Sequence, residues 1–417
     1  MKQSHVDRYF FALFIFALIF SILLYKAIGF TYTDELCVLA LFVLFLMAMM
    51  KIHDWHFNKA FLITLAVFVF YTCYSFQIGS NTPRGIANDL AIQLKPYLGF
   101  FCVYQLKPAM NASRKRMLRD VCLLFWFIFL LPIGLVSLVN VKVFDLLLEH
   151  PVYYGIAVTI VSLCYLYCSG FTRRDKLVFL LMLSIGLFCG RSKFYGFFAL
   201  SVFMMFFFSN IANLKLNFKN IMIIICMLAV IAYVAWGKIS LYFYQALTDE
   251  MENDLIARFV LYRTMPEVLS DFFPFGSGFA SFATYSSGEY YSEIYAKYGI
   301  EIVYGLSKAY HGFISDTFYP SLAQFGVAGI VLFLSFWIYI VKRAFINYRK
   351  TQNIKLIMIA ILIVCFLAIE CTTGSTFIAQ GGFFVMMILG LILSEKKHEA
   401  EQTKINIHGD EEKIPFC

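Results

Sequence analysis

Charged residues are scarce in this sequence. Only 14% of its 417 residues are Asp, Glu, Lys or Arg, whereas 61% are hydrophobic and 19% are aromatic. Soluble domains have about 25% charged residues and at most about 50% apolar ones. The scarcity of charge therefore excludes an ordinary soluble domain, and we expect an integral membrane protein.

Common catalytic and metal-binding motifs are also missing. The sequence has no P-loop, no Gly-x-Ser-x-Gly, no His-Glu-x-x-His and no Asp-x-Asp motif, and its 11 cysteines form no Cys-x-x-Cys pattern. Asp34-Glu35 is the nearest approach to an acidic metal site, and a solvated turn is the simpler interpretation. We accordingly predict no cofactor and no metal.

Apolar runs fill most of the chain. A transmembrane helix needs about 20 predominantly apolar residues, and runs that reach this length with their flanks predict about 12 transmembrane helices. The fold class expected is an all-α polytopic membrane protein, with one transmembrane domain over residues 1–417. The runs lie at residues 9–25, 36–50, 60–76, 90–106, 121–139, 151–168, 177–190, 194–209, 221–237, 321–341, 354–371 and 376–394.

The distribution of basic residues predicts the orientation. Most of the 34 Lys and Arg residues lie at the termini and in one alternate set of connections, and basic connections stay in the cytoplasm. Both termini, including the polar tail 395–417, are therefore expected there. The long loop 238–320, between spans 9 and 10, then faces the periplasm in a bacterial inner membrane. The same distribution explains the net charge of +8 without a nucleic-acid partner.

Two places inside the apolar regions carry charge. Arg191 and Lys193 interrupt two short runs at Gly190-Arg-Ser-Lys193, and a charge facing lipid at depth costs roughly 2.5–3.5 kcal/mol. They either reach lipid headgroups from a tight turn or form a cationic pocket for a lipid-borne phosphate. Glu370, near the outer end of the eleventh run, is a candidate site residue whose alternative role is to pair with an arginine.

The loop 238–320 contains most of the remaining polar residues. Residues 251–270 have helical periodicity, and Arg258 and Arg263 are rotated by about 140° on that helix, so they are not expected to serve one pocket. Pro274-Phe-Gly276-Ser-Gly278 then breaks the chain, and its two glycines would permit close approach of the backbone to a ligand.

Aromatic and acidic residues follow in the same loop. The stripe of Tyr291, Ile294, Tyr295 and Tyr298 has helical spacing and predicts either an interfacial helix or an aromatic platform for sugars. In the second interpretation the sugar hydroxyl groups would donate hydrogen bonds to the acidic residues Glu289, Glu293 and Glu301. His311 is a candidate general base near neutral pH, and Asp316 is a rival for that role.

Three local patterns resemble the O-antigen polymerase and O-antigen ligase superfamily, which are membrane glycosyltransferases acting on polyprenyl diphosphate carriers. They are the arginine after a short apolar helix (Arg191), the arginine and aromatic residues before Pro-x-Gly-x-Gly (Arg258 to Gly278), and the segment His311–Asp316 before Gly326 and Gly329. The resemblance covers about residues 150–345. It departs from the family at Ile314, which stands where the family's His usually is, and in the order of Arg191 and its neighbouring Ser.

The resemblance implies roles for individual residues. Arg191 and Arg258 would bind the diphosphate, with Lys193 or Arg263 helping, and His311 or Asp316 would accept the proton of the acceptor hydroxyl. Residues that would shape sugar specificity or line the substrate site are Tyr291, Tyr295, Glu289, Glu293 and Glu370. The substrate implied is a polyprenyl diphosphate-linked oligosaccharide in the lipid bilayer, and a chain-length regulator (a polysaccharide co-polymerase) is a candidate partner.

Three functions remain open at this point. A polymerase joins repeat units, and we favour it because the Tyr-rich loop suits a particular glycan. A ligase would transfer the finished polysaccharide to lipid A core and share the carrier chemistry. A transporter or flippase of lipid-linked glycan also fits twelve spans, although internal repeats are not evident and the polar residues gather on one face.

Overall fold

The computed structural model describes residues 3–25, 29, 32–50, 58–148, 150–207 and 253–395. The predicted ninth run (221–237), the start of the long loop (238–252) and the tail from residue 396 lie outside these ranges. Within them every regular element is a helix, and no strand occurs. The predicted all-helical class is confirmed for this part of the chain.

The helices follow the apolar runs closely. In chain order they are α1 (Gln3–Leu23), α2 (Thr33–Met49), α3 (Lys59–Ile78), α4 (Pro83–Leu106), α5 (Ala112–Ser137), α6 (Lys142–Leu147), α7 (Pro151–Cys168), α8 (Arg173–Ser184), α9 (Ser192–Phe207), α10 (Asn253–Asp271), α11 (Tyr285–Glu289), α12 (Ile294–Lys297), α13 (Gly326–Thr351), α14 (Ile354–Glu370) and α15 (Gln380–Ser394). Short 3-10 segments extend α8 (Ile185–Cys189) and precede α13 (Tyr319–Phe325).

Several of these helices can cross a bilayer. Five in the described ranges have the required length and hydropathy: Gln3–Leu23, Lys59–Ile78, Ala112–Ser137, Pro151–Cys168 and Tyr319–Thr351. Two apolar helices, Ser192–Phe206 and Gln380–Ser394, are shorter. Membrane character is thereby supported, and the number of twelve crossings stays a prediction.

Polar residues between the apolar runs cap the helices. The side chains of Asn58, Thr82 and Asn111 accept hydrogen bonds from backbone N–H groups at the starts of α3, α4 and α5. Thr172 and Asp175 form a reciprocal capping box at the start of α8. Because unpaired backbone donors are costly in an apolar setting, these short polar connections determine where each helix begins.

The centre of the bundle contains α4, α7, α14 and α15. In the apolar 18-residue stretch of α7, 89% of the residues are buried, whereas in that of α3 only 17% are buried. Gly390 of α15 lies against the backbone of α4, where an added Cβ would come within 2.6 Å of the Phe100 carbonyl oxygen. The inner helices therefore pack backbone to backbone, and α3 and α13 lie at the periphery.

The Asp34-Glu35 pair is not the solvated turn that we expected. Asp34 is buried at the start of α2 and forms an ion pair with Lys95 of α4. Lys95 Nζ also lies 2.9 Å from Glu35 Oε1. A lone buried ammonium would be costly, so the two carboxylates compensate a charge that lies inside an otherwise apolar run.

The described part of the long loop has a hydrophobic core of its own. Tyr295 is fully buried at its centre, where its hydroxyl oxygen accepts from Ala283 N at 2.9 Å and lies 2.7 Å from Ser287 Oγ. Only Ile294–Lys297 is helical in the region of the predicted tyrosine stripe. Burial of Tyr295 and Ile294 therefore stabilises a compact loop and does not build a long interfacial helix.

The two glycines of Pro274–Gly278 attach this loop to the bundle. A Cβ at Gly276 would lie 2.2 Å from Gly326 N, and one at Gly278 would lie 2.6 Å from Ser80 Cβ. Both have left-handed φ angles of +81° and +82°, which glycine adopts without strain. The close approach that we expected toward a ligand is thus an approach of the loop to the chain itself.

Candidate functional site

The predicted break between two short helices is present at Gly190. The 3-10 turn Ile185–Cys189 ends at this residue, which has a left-handed φ of +67°, and α9 begins at Ser192. Arg191 therefore projects from a tight turn, and its Nη2 lies 2.9 Å from His150 Nε2. His150 comes directly before α7 and is the cap of that helix.

Lys193, in the first turn of α9, forms an ion pair with Glu370 at the end of α14. Lys193 Nζ lies 2.6 Å from Glu370 Oε2, and the two side chains are only 10% and 4% exposed. Lys193 Nζ also donates to the carbonyl oxygen of Thr373 at 3.3 Å. The partner of Glu370 is thus a lysine, where the alternative from the sequence was an arginine.

Arg258 reaches the same region from α10. Its Nη2 lies 2.9 Å from Asp316 Oδ2, and the side chains are 20% and 31% exposed. One turn later Tyr262 donates to the carbonyl oxygen of Thr372 at 2.7 Å, next to the Thr373 carbonyl that Lys193 contacts. The connection between α14 and α15 therefore joins the loop to the break at Gly190.

The electrostatics of His150 link these groups into one cluster. Burial lowers the pKa of His150 first, and the positive charge of Arg191 adds to this effect. Lys193 and Arg258 lower it further, whereas Asp145 of α6 raises it. Arg191 is in direct contact with the imidazole at 2.9 Å, while the charges of Lys193, from the same break, and of Arg258, from α10, act on it through space. We call Arg191, Lys193, Arg258, His150, Asp316 and Glu370 the outer cluster.

The predicted base His311 has different surroundings. Its ring packs against Gly288 of α11, where an added Cβ would lie 3.0 Å from His311 Cδ2. Its Nδ1 is buried and has no hydrogen-bond partner within the described ranges. Asp316, the rival base, is the residue that contacts Arg258. The structure therefore brings Asp316, rather than the His311 ring, into contact with a cation.

The remaining predicted site residues are distributed over the loop surface and its core. Arg263, Glu289 and Glu293 are exposed. Tyr291 is partly buried and donates to the Leu306 carbonyl oxygen at 2.8 Å, while the buried Tyr295 supports the loop from inside. A sugar could contact the exposed side chains of Arg263, Glu289 and Glu293. It could not contact Tyr295, which is buried.

His150 is a residue that our interpretation of the sequence missed. A signal was available, because the predicted topology places the start of the run 151–168 and the break at Gly190 on the same membrane face. The histidine directly before Pro151 is therefore predicted on the same face as Arg191, where it is a candidate neighbour. Within the described residues no group of three or more His, Cys, Asp or Glu side chains is arranged to hold a metal ion.

Comparison with protein-family models gives no match to this chain, and comparison with curated protein sequences likewise gives none.

Proposed function

We propose that this chain is a membrane glycosyltransferase of the O-antigen polymerase type. It would join polyprenyl diphosphate-linked oligosaccharide repeat units at the periplasmic face of the bacterial inner membrane. The observation that carries the proposal is that the break with Arg191 and Lys193 and the helix with Arg258 meet at the α14–α15 connection, where Lys193 and Tyr262 contact the Thr373 and Thr372 carbonyl oxygens. A diphosphate suits such a cluster, because guanidinium groups stay charged and bind phosphate oxygens in pairs.

The proposed reaction needs these cations at the leaving group. A hydroxyl oxygen of the acceptor sugar attacks the anomeric carbon of the donor glycan, and the bond from that carbon to the diphosphate oxygen breaks. The bonding electrons leave with the diphosphate, so negative charge develops there. Preorganised cations that face this charge lower the barrier, and Arg191, Arg258 and Lys193 are assigned that role.

The proton of the acceptor hydroxyl passes to a base, and we assign this role to Asp316. In the structure its carboxylate is engaged with Arg258 at 2.9 Å. When a diphosphate takes over Arg258, this ion pair weakens and the carboxylate is free to accept the proton. His311, packed on Gly288, would then position the loop segment that carries Asp316.

A cavity of about 200 Å³ suits the lipid tail of the carrier. It lies between α3, α4 and α13, and is lined by aromatic and branched residues that include Val67, Tyr97 and Leu332. Phe318, two residues after Asp316, also lines it. The helices α3 and α13 have the least buried apolar windows among the five spans, so a chain in this cavity would lie beside the bilayer. We assign the isoprenoid tail to it.

The sugar side of the site is assigned to the exposed part of the loop. Glu289 and Glu293 are exposed, and carboxylates accept hydrogen bonds from hydroxyl groups. Tyr291 lies between them and is partly exposed. We propose that these three side chains contribute to the choice of glycan, and that Tyr295 acts only through the shape of the loop.

The topology is part of the same proposal. Each predicted apolar run within the described ranges coincides with a helix, and the basic connections favour cytoplasmic termini. We propose twelve crossings, with the loop 238–320 on the periplasmic side and the tail 395–417 in the cytoplasm. A chain-length regulator would be the protein partner.

Reconstitution tests the proposal directly. The purified protein is placed in liposomes with a synthetic polyprenyl diphosphate-linked repeat unit, and the products are separated by chain length. We expect polymer from the wild type, none from Arg258→Ala, and near-normal polymer from Arg263→Ala. The two variants remove the same side chain from the same helix, so the comparison isolates the position of Arg258.

Other outcomes would replace the proposal. Transfer of glycan only to an added lipid A core acceptor would identify a ligase. Movement of intact lipid-linked repeat across the liposome membrane, without new glycosidic bonds, would identify a flippase. Equal polymer from Arg258→Ala and the wild type would remove Arg258 from the site.

A further inference from the structure

His150 lies between two hydrogen-bond donors. Arg191 Nη2 is 2.9 Å from its Nε2, and Val152 N is 3.3 Å from its Nδ1. A guanidinium and a backbone N–H can only donate, and a neutral imidazole has a single acceptor nitrogen. The His150 ring can therefore accept from only one of the two donors in either tautomer, and the shorter contact favours Nε2 as the acceptor for Arg191.

Protonation of His150 would raise the electrostatic free energy of the unliganded cluster. Both ring nitrogens would then carry protons and would face donors, and a fourth positive charge would join those of Arg191, Lys193 and Arg258. Among the acids of the cluster, Glu370 is paired with Lys193 and Asp316 with Arg258, so Asp145 is the acid that raises the pKa of His150. Without a ligand, these surroundings disfavour the protonated form of His150.

A bound diphosphate would reverse both conditions. Its oxygens accept from Arg191, which releases His150 Nε2 from that contact. Its negative charges also outweigh the repulsion between an imidazolium and the neighbouring cations. His150 is exposed on one side, so a ligand can reach it, and its Nε2 faces the group that would hold the phosphate.

We propose that diphosphate binding at the outer cluster is coupled to the uptake of a proton by His150, which then donates Nε2–H to a phosphate oxygen. The inference rests on the diphosphate site of the proposed function. It makes His150 a substrate-binding residue whose charge appears only when the ligand is present. The unliganded site therefore avoids a second positive charge in contact with Arg191, and the occupied site gains a further donor.

Calorimetry of inorganic pyrophosphate binding tests the coupling. The full-length protein in detergent is titrated near pH 7 in two buffers that differ in ionisation enthalpy, which yields the number of protons taken up per pyrophosphate bound. The matched variant is His150→Gln, whose amide can still accept from Arg191 but cannot take up a proton. Subtracting its value removes the titration of pyrophosphate itself.

We expect the wild type to take up more protons than His150→Gln, by a difference that approaches one. Its affinity should also rise more steeply as the pH falls, by up to about tenfold per pH unit. Asp145→Asn should diminish the proton uptake, because it removes the charge that favours the imidazolium. The Asp145 side chain is exposed on α6, so we expect the Asp145→Asn variant to fold normally.

The outcomes separate the two proposals. Pyrophosphate binding with equal proton counts in the wild type and His150→Gln would overturn the coupling and leave the diphosphate site intact, since a histidine that only caps α7 predicts that result. No binding of pyrophosphate by the wild type at any pH would remove the diphosphate site and the coupling with it.

Discussion

Two clusters of basic side chains lie at opposite ends of α7 and α14, and they differ in how their charges are compensated. At one end Lys115 forms an ion pair with Glu395 at 2.8 Å, both side chains being 5% exposed. Lys355 donates to the carbonyl oxygens of Tyr167 and Ser169 at 2.9 and 2.8 Å. We call Lys115, Lys355 and Glu395 the inner cluster.

The outer cluster has similar chemistry but different access. Arg191 contacts the His150 imidazole, and the side chains of the Arg258–Asp316 pair are 20% and 31% exposed. Arg191 and Arg258 are thus partly exposed to solvent, whereas Lys193 and the inner lysines are enclosed by protein acceptors. A basic cluster that is closed on itself holds helices together. One with partly exposed arginines is suited to an anionic ligand.

The largest expected effect separates the two clusters by activity. Arg191→Ala should lower the initial rate of polymer formation by about 10²–10³-fold, because one charge facing the leaving group is lost. Its thermal midpoint should change little, since neutral His150 is not left as an unpaired charge. Arg173→Ala, at the exposed start of the preceding helix α8, is the control. Comparable rates for the two variants would contradict the role of Arg191.

The inner cluster should respond in the opposite way. Lys115→Met leaves the Glu395 carboxylate buried without its partner, so we expect a loss of about 3–5 kcal/mol in the free energy of unfolding. The rate per folded molecule should be unchanged. The double variant Lys115→Met with Glu395→Gln should recover most of that stability. A double variant as unstable as the single one would show that the ion pair is not the cause.

A third change acts on the attachment that holds α10 over the outer cluster. Gly276→Ala adds a Cβ that would lie 2.2 Å from Gly326 N, at a left-handed φ of +81°. We expect a loss of about 3 kcal/mol from strain and overpacking together. Gly299→Ala has a similar φ of +66° but open space around its Cβ, so only the strain of about 1–2 kcal/mol should remain. Denaturation in detergent measures both, and equal losses would mean that the loop can shift away from Gly326.

The smallest expected effect concerns the cavity assigned to the lipid tail. Leu332 lines it, whereas Leu334 of the same helix does not line it and is 54% exposed. Leu332→Trp should raise KM for the lipid-linked repeat about fivefold, corresponding to roughly 1 kcal/mol of lost binding, and leave kcat unchanged. Leu334→Trp should leave both constants unchanged. Equal KM values would place the tail elsewhere.

Much of the fold was predictable because apolar runs and helices have the same cause. A segment that is apolar over about 20 residues buries its backbone polar groups best as a helix, and the run 60–76 became α3 with little change. The same reasoning did not hold for the tyrosine stripe, which was predicted as an interfacial helix. Tyr295 is instead buried inside the loop, with two hydrogen-bond partners. Local periodicity cannot distinguish burial inside a loop from burial in a membrane surface.

The candidate site was predictable in its residue types but not in its pairs. Arg191, Lys193 and Glu370 stood out because a charge in an apolar run needs a compensating neighbour. The neighbour of such a charge depends on how helices that are far apart in the chain pack together. Lys193, for example, pairs with Glu370, which lies 177 positions later in the sequence. His150 drew no attention because a single histidine before a proline has no distinctive local pattern.

The sequence by itself determined the membrane class, the positions of the helices and the few charges that have to be compensated inside them, because these follow from the cost of placing polar groups in an apolar setting. Only the tertiary structure decided which charged side chains come together. The Gly276 and Gly326 backbones attach the loop to the bundle, and the contact of Tyr262 with the α14–α15 connection brings Arg258 to the break at Gly190. Those contacts depend on close backbone approach between distant segments, which hydropathy does not record.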